Sequence, residues 1–298
     1  MIYAEMVDIV DNKIAPKNCA KKLRNNECLL YINKNKIRRV ESYRDHVIGV
    51  AQELNKLMYS LFRHRITRMI ERLRKALNIN LSEEEVIEAV ALSTILHDHG
   101  KVYRVYQKGL NPLYRHEVVS SAFLYKLLKH KLGLNAIIAS HLSLAVLLHH
   151  QPRVYRLLED FNQYLITQSM LLEMFRMSTD KDFELGVNER EEIVNIIEGA
   201  LSILSLFSKT LINEVTEYLL AYSPRINDVI KDTIIIQSIH VGLPDARIRR
   251  LLRFFTAVTN HIIVVCDNIT AYKNRSKEPE CVRKCGSTLG AIFSLIYG

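Results

Sequence analysis

The chain has 298 residues, enough for one large domain or two small ones with a real core. It is 48% apolar with only 10 glycines and 6 prolines, which favours a helix-rich globule over a β-sandwich or a disordered chain. The net charge of +9 is uneven: residues 1–153 carry 25 Lys/Arg against 14 Asp/Glu, residues 154–240 carry 7 against 14, and residues 241–298 carry 9 against 4. The basic first half suits a polyanionic partner such as nucleic acid.

In chain order, the first forty residues read as irregular and basic, with β-prone pieces at 2–7 and 29–32. A helix is expected from about Glu41, with Ser42 and Asp45 as a capping start and Val47, Val50, Leu54, Leu57 and Leu61 as its buried stripe. His46 falls in its first turn. Arg63, Arg65, Arg68, Arg72, Arg74 and Lys75 then give a strongly basic face. Ser82-Glu83-Glu84-Glu85 is a capping box that opens a helix carrying Val86, Ile87, Val90, Ile95 and Leu96, and His97 and Asp98 lie near its end. Gly100 is expected to stop that helix.

A polar loop with Gly109 and Pro112 leads to a helix from about His116 to Gly133. The next runs from about Asn135 and stops before Pro152, leaving His149 and His150 in its last turn. Residues 154–240 read as several helices broken at Ser223-Pro224, and Pro244 opens a long last helix through about Tyr272, with Asp267 towards its end.

The start of the chain lacks the basic-then-apolar layout of a signal peptide, and the most apolar stretches, 136–148 and 254–266, are too short to span a bilayer. The expectation is a cytoplasmic protein with no membrane partner. Cys19, Cys28, Cys266, Cys281 and Cys285 do not form a metal-binding framework, because the Cys281 and Cys285 pair alone cannot complete a four-cysteine site.

The chemistry concentrates in Leu96-His97-Asp98-His99-Gly100-Lys101, preceded by His46 and followed by His116, His149, His150 and Asp267. Imidazole and carboxylate are the donors that Mn, Fe, Co, Ni and Zn accept. The carboxylate of Asp98 has two oxygens, enough to bridge two ions. A divalent ion brings the pKa of water towards neutrality, and a second one about 3.5–4 Å away stabilises a leaving phosphodiester oxygen. Lys101 is a natural partner for a phosphate oxygen. His64, His130, His141, His240 and His261 read as ordinary surface or core histidines, and His99 as a local hydrogen-bonding residue. No G-x-x-x-x-G-K-[ST] occurs, so no P-loop motor is expected on this polypeptide.

This pattern resembles the HD superfamily of metal-dependent phosphohydrolases and, more narrowly, the stand-alone HD nuclease subunit of type I CRISPR interference systems. The resemblance rests on His46, on His97-Asp98-His99-Gly100-Lys101 with Tyr106-Gln107, on Arg115-His116-Glu117 with Ser121-Ala122, on His149-His150, and on Asp267. It covers roughly 40–150 and 245–272; His99 stands where an apolar residue is commoner, and Tyr106 where a Phe is expected.

The resemblance implies an all-α HD-domain bundle with a short irregular or β-prone N-terminal segment. Residues 1–298 would form one nuclease domain, with a metal-site core in 40–150 and 245–272, a helical insertion at 154–240 and a basic tail at 273–298. It implies two divalent ions (Mn, Co, Ni, Fe or Mg), one on His46, His97, Asp98 and Asp267 and one on His116, His149 and His150 with Asp98 bridging. Asp98 and Lys101 would carry the catalysis. The substrate would be single-stranded DNA, presented by an RNA-guided surveillance complex and unwound by a separate helicase subunit. An HD phosphohydrolase of small nucleotides is the first alternative, against which the basic first half argues. A catalytically idle helical scaffold is the second, and none of the ligands whose loss would mark it is missing.

Overall fold

The computed structural model describes residues 3–8, 37–107, 110, 113–150 and 166–275. Two compact units divide the chain, with boundaries between His46 and Val47 and between Cys266 and Asp267.

The smaller unit holds a two-stranded antiparallel ribbon, β1 (Tyr3–Asp8) and β2 (Ile37–Ser42), in which Tyr3 pairs with Ser42 and Asp8 with Ile37. The β-prone piece at 2–7 is thus realised as β1, while that at 29–32 lies outside the described residues. β2 was not expected, and it delays the first helix, α1 (Tyr43–Leu57), by two residues. Ser42 still caps that helix: its hydroxyl accepts from the Asp45 amide at 3.0 Å and donates to the Asp45 carboxylate at 2.6 Å.

In the larger unit α1 buries Val47, Val50 and Leu54 as the periodicity requires, but Leu61 is 43% exposed and Phe62 is buried in its place. The cause is a wide turn at Met58–Phe62, where the Arg63 amide reaches back five residues to the Met58 carbonyl. Each such turn takes one residue more than an α-turn, so the inward position moves from Leu61 to Phe62. Helix α2 (Arg63–Leu77) follows, burying Ile66, Met69, Ile70 and Leu73 and leaving Arg63, Arg65, Arg68, Arg72 and Lys75 exposed. Asn78, at φ 50°, ends it in the left-handed region. Ser82 caps the helix as expected, its hydroxyl accepting from the Glu85 amide at 3.3 Å, and α3 (Glu83–Ile95) begins there; among the described residues the Glu85 carboxylate does not close the reciprocal half of the box.

The centre of this unit is a pair of helices buried on nearly every side, α5 (His116–Lys126) and α6 (Ala136–Leu147). Their sequences are apolar around the whole circumference, which is the pattern of core helices. Between them a second wide turn, Leu127–Lys131, and Gly133 at φ 69° reverse the chain. The reversal brings the start of α5 and the end of α6 to one end of the unit. The end of α3 packs there too, after which come a tight turn (His99–Val102) and the short helix α4 (Arg104–Gln107).

Residues 166–241 supply α7 (Gln168–Phe175), α8 (Val187–Ile203), α9 (Lys209–Ala221) and α10 (Ile226–Val241), with non-helical chain at 222–225 where the Ser-Pro break was expected. α10 packs on both α5 and α6. The Gln237 side-chain amide satisfies both backbone groups of Ile166, at 2.9 and 3.0 Å.

The last helix, α11 (Ala246–Arg275), is capped by Asp245, whose carboxylate accepts from the Arg247 amide at 2.6 Å. Among the described residues this one helix is long and apolar enough to cross a membrane, although the apolar stretch within it reads as too short. Half of its most apolar window is buried inside the protein. Thr256 and Asn260 donate to the carbonyls of His141 and Ala145 on α6, at 3.3 and 2.8 Å, as in a core helix.

Candidate metal centre

Three helix ends meet at the end of the α5–α6 pair, and the chemistry-bearing residues sit on them. α3 stops at Ile95, so His97 and Asp98 lie on the turn that leaves it, not in its last helical turn. His116 is the first residue of α5, and His149 and His150 lie in the turn just beyond α6. Adjacent residues on an α-helix point about 100° apart; on an unwinding end both members of a pair can face one cluster.

Gly100 decides how closely these ends approach. The expectation that it stops the helix is corrected, since α3 has already ended and the turn runs through Gly100. Its role is steric: a β-carbon there would overlap the carbonyl of His116. The Gly100 amide donates to the Ser120 hydroxyl at 2.7 Å, and the Tyr114 hydroxyl donates to the Gly100 carbonyl at 2.7 Å. The turn bearing Asp98 is thereby clamped against the first turn of α5.

Asp98 lies at the centre, 1% exposed. Its Oδ1 is 3.0 Å from His116 Nε2 and 3.6 Å from His149 Nε2, and its Oδ2 is 2.7 Å from the Lys101 ammonium and 3.5 Å from His97 Nε2. His150 stacks on His149 with ring centroids 3.9 Å apart, and its Nε2 lies 3.0 Å from His116 Nε2. Burial by itself would raise the Asp98 pKa. The neighbouring His97 and Lys101 charges and the imidazoles of His116 and His149 outweigh it and hold the carboxyl well below the usual carboxylate range. Burial also pushes His116 down to about 4, so its imidazole is neutral and able to donate a lone pair near pH 7.

One ligand atom each from Asp98, His116, His149 and His150 lies within 4.8 Å of all the others. A four-coordinate ion with bonds of about 2.0–2.1 Å separates its ligand atoms by roughly 3.3 Å; the observed 3.0, 3.0 and 3.6 Å bracket that spacing. Two of the imidazoles are already oriented. A carbonyl only accepts, so His97 Nδ1–H donates to Thr94 O at 2.8 Å and His149 Nδ1–H to Val146 O at 2.6 Å, which turns each Nε2 towards Asp98. The donor set and its spacing fit a borderline divalent ion.

His46 and Asp267 belong to the smaller unit, where His46 Nε2 is 3.5 Å from Asp267 Oδ1. His99 packs its ring on Phe123 at 4.1 Å and meets the Tyr103 hydroxyl at 3.2 Å. Among the residues read as ordinary, His64 and His261 are exposed, while His141 and His240 form a buried bridge between α6 and α10, Nε2 to Nδ1 at 3.0 Å. Cys266 is buried; the other cysteines lie outside the described residues. Sequence reasoning missed the buried Glu117 carboxylate, which is paired with Arg115 beside His116. No local signal marked it, since an acid in the first turn of a helix is ordinary.

Helix ends converging on a His-Asp cluster define the class, an all-α fold with a candidate metal centre. No family model matches the chain. It is similar to the CRISPR-associated endonuclease Cas3-HD of Methanocaldococcus jannaschii, 28% identical over 165 residues that cover 53% of this chain and 63% of that protein. It thus matches less than two thirds of that relative's length. It is also similar to the CRISPR-associated endonuclease Cas3-HD of Pyrococcus furiosus, 23% identical over 245 residues that cover 80% of this chain and 92% of that protein. Among solved structures, the CRISPR-associated Cas3 HD domain protein from Methanocaldococcus jannaschii aligns with a TM-score of 0.45 and 23% identity, covering 76% of this chain and 95% of that one. The chain is therefore similar in sequence to two proteins named as CRISPR-associated endonucleases Cas3-HD, a likeness that the order of its histidines led us to expect.

Proposed function

We propose that the chain is a metal-dependent nuclease of the HD type that hydrolyses phosphodiester bonds of single-stranded DNA in CRISPR interference. The observation that supports this most is the cluster of Asp98, His116, His149 and His150, with ligand atoms at coordination spacing, on a chain similar to two CRISPR-associated endonucleases. These four residues hold one divalent ion. The resemblance assigns a second ion to His46, His97, Asp98 and Asp267, with Asp98 shared. Ions there supply ionised water at neutral pH and neutralise charge developing on the phosphodiester; Mn, Co, Ni, Fe and Mg are the candidates. Lys101, whose ammonium lies against Asp98, holds a phosphate oxygen of the substrate.

The exposed basic side chains of α2, namely Arg63, Arg65, Arg68, Arg72 and Lys75, give DNA an electrostatic footing without sequence preference. That extended surface favours a polymer over a free nucleotide. The chain works in the cytoplasm as one nuclease domain beside a separate helicase and an RNA-guided complex, which unwind and present the strand.

The test is to incubate metal-stripped protein with labelled single-stranded DNA, with dATP and with a cyclic nucleotide, restoring Mn, Co, Ni or Mg one at a time. Cleaved DNA with intact nucleotides is the expected result. Hydrolysed nucleotides with intact DNA would select the small-nucleotide enzyme.

A further inference from the structure

Each imidazole that serves the cluster needs its second nitrogen held, or the ring rotates and the donor atom turns away. His97 and His149 solve this with a carbonyl three residues back, which exists because each follows a helix. His116 opens α5, and no helical turn precedes it. Its Nε2 faces Asp98 and His150, so its Nδ1 needs an acceptor from elsewhere.

Glu117 occupies that place. Its Oε2 is 3.7 Å from His116 Nδ1, within reach of a hydrogen bond after a small side-chain rotation. Its other oxygen, Oε1, accepts from Arg115, with Nε at 2.7 Å and a terminal guanidinium nitrogen at 2.6 Å. The carboxylate is 4% exposed, although a glutamate in the first turn of a helix could lie in water and still favour the helix dipole. Burying a carboxylate is costly unless it is paired on all sides. Here one oxygen is paired to a guanidinium and the other faces an imidazole.

We infer that Glu117, held by Arg115, is a positioning residue that fixes the His116 ring with Nδ1 protonated and the Nε2 lone pair aimed at the cluster of Asp98, His149 and His150. This rests on reading that cluster as a metal centre. Glu117 itself touches neither ion nor substrate; it acts through His116.

The experiment titrates Mn(II) into the metal-stripped full chain by calorimetry, for wild type, Glu117→Gln, Glu117→Ala and Arg115→Gln. Nitrogen-15 NMR of the histidine side chains reads the tautomer of His116 in the metal-free protein. Glu117→Ala is expected to weaken one of two Mn(II) ions by about 10- to 100-fold and leave the other within about twofold. It should also convert His116 from a fixed Nδ1–H form to a mixture. Glu117→Gln keeps an oxygen acceptor without the charge, so it should hold the tautomer and recover part of the affinity. Being nearly isosteric, it also carries the test if the alanine variant does not fold. Unchanged affinity for both ions with an unchanged tautomer overturns the inference. So does equal loss of both ions together with a lowered melting temperature, which would mark a purely structural ion pair. A wild type that binds fewer than two Mn(II) ions refutes the metal reading instead, and the tautomer measurement still decides the part played by Glu117.

Discussion

Replacing Gly100 with alanine tests the proposition that one close approach builds the centre. The added β-carbon would lie 2.9 Å from the carbonyl carbon and the Cα of His116 and overlap its carbonyl oxygen, so backbone must give way. Overpacking of this kind costs about 1–3 kcal/mol. Parting the two segments also strains the bonds from the Gly100 amide to Ser120 and from the Tyr114 hydroxyl to the Gly100 carbonyl, each worth about 1 kcal/mol. A loss of about 3–5 kcal/mol follows, which at about 2–4 °C per kcal/mol lowers the melting temperature by roughly 6–20 °C. Asp98 and His116 sit on the two sides of this contact, 3.0 Å apart, and a displacement of about 1 Å costs on the order of 100-fold in turnover. Thermal melts and single-turnover cleavage measure the two effects. Ser120→Ala is the control: it removes one hydrogen bond without forcing the segments apart, so it should cost about 1–2 kcal/mol and leave cleavage nearly intact. A Gly100→Ala protein with wild-type melting and wild-type cleavage would refute the reasoning.

Asp98→Ala should abolish hydrolysis while the protein stays folded, because both proposed ions lose a ligand; cleavage at the wild-type rate by a folded variant would rule out the bridging role. His150→Ala, at an exposed position, should lose one Mn(II) ion with little change in melting temperature, whereas His149→Ala, with its side chain fully buried, should lose the ion and stability together; equal melting losses would contradict this. Burial depresses His99 and His141 to about 3 and His240 to about 4, while the unfolded chain titrates near 6.5. Between pH 6.5 and 4 only the unfolded state takes up these protons, so stability is full above pH 6.5 and falls as pH drops, by up to about 1.4 kcal/mol per unit for each residue. Urea midpoints of metal-free protein that stay flat from pH 7 to 5 would contradict this. Changing Arg65 and Arg68 to Gln should reduce the salt slope of single-stranded DNA binding by about 1.4, at about 0.7 per phosphate contact; an unchanged slope would place the DNA elsewhere.

The parts legible in the sequence were those set by residue type or by local capping. Asp98, His116, His149 and His150 could be picked out as candidates because few positions in a chain hold adjacent His-Asp and His-His pairs beside helix stops. The start of α3 followed from Ser82 and Glu85, and the break at 222–225 from Pro224. What was not legible depends on through-space approach. Nothing local distinguishes Gly100 as a contact residue from Gly100 as a helix stop, since both uses favour a missing side chain. The exchange of Leu61 for Phe62 follows from a wide turn whose neighbours are all good helix formers. Glu117 has the composition of an ordinary first-turn acid, and only its burial beside Arg115 and His116 gives it another part. The His141–His240 bridge joins residues 99 apart, beyond the reach of any periodicity.

The most direct test of the metal centre is anomalous diffraction from crystals of the full chain grown with Mn(II), with data collected on both sides of the manganese edge. The account predicts a strong peak within ligand distance of Asp98, His116, His149 and His150, lost in crystals of His150→Ala. Well-ordered crystals with manganese present and no peak at those four residues would contradict it.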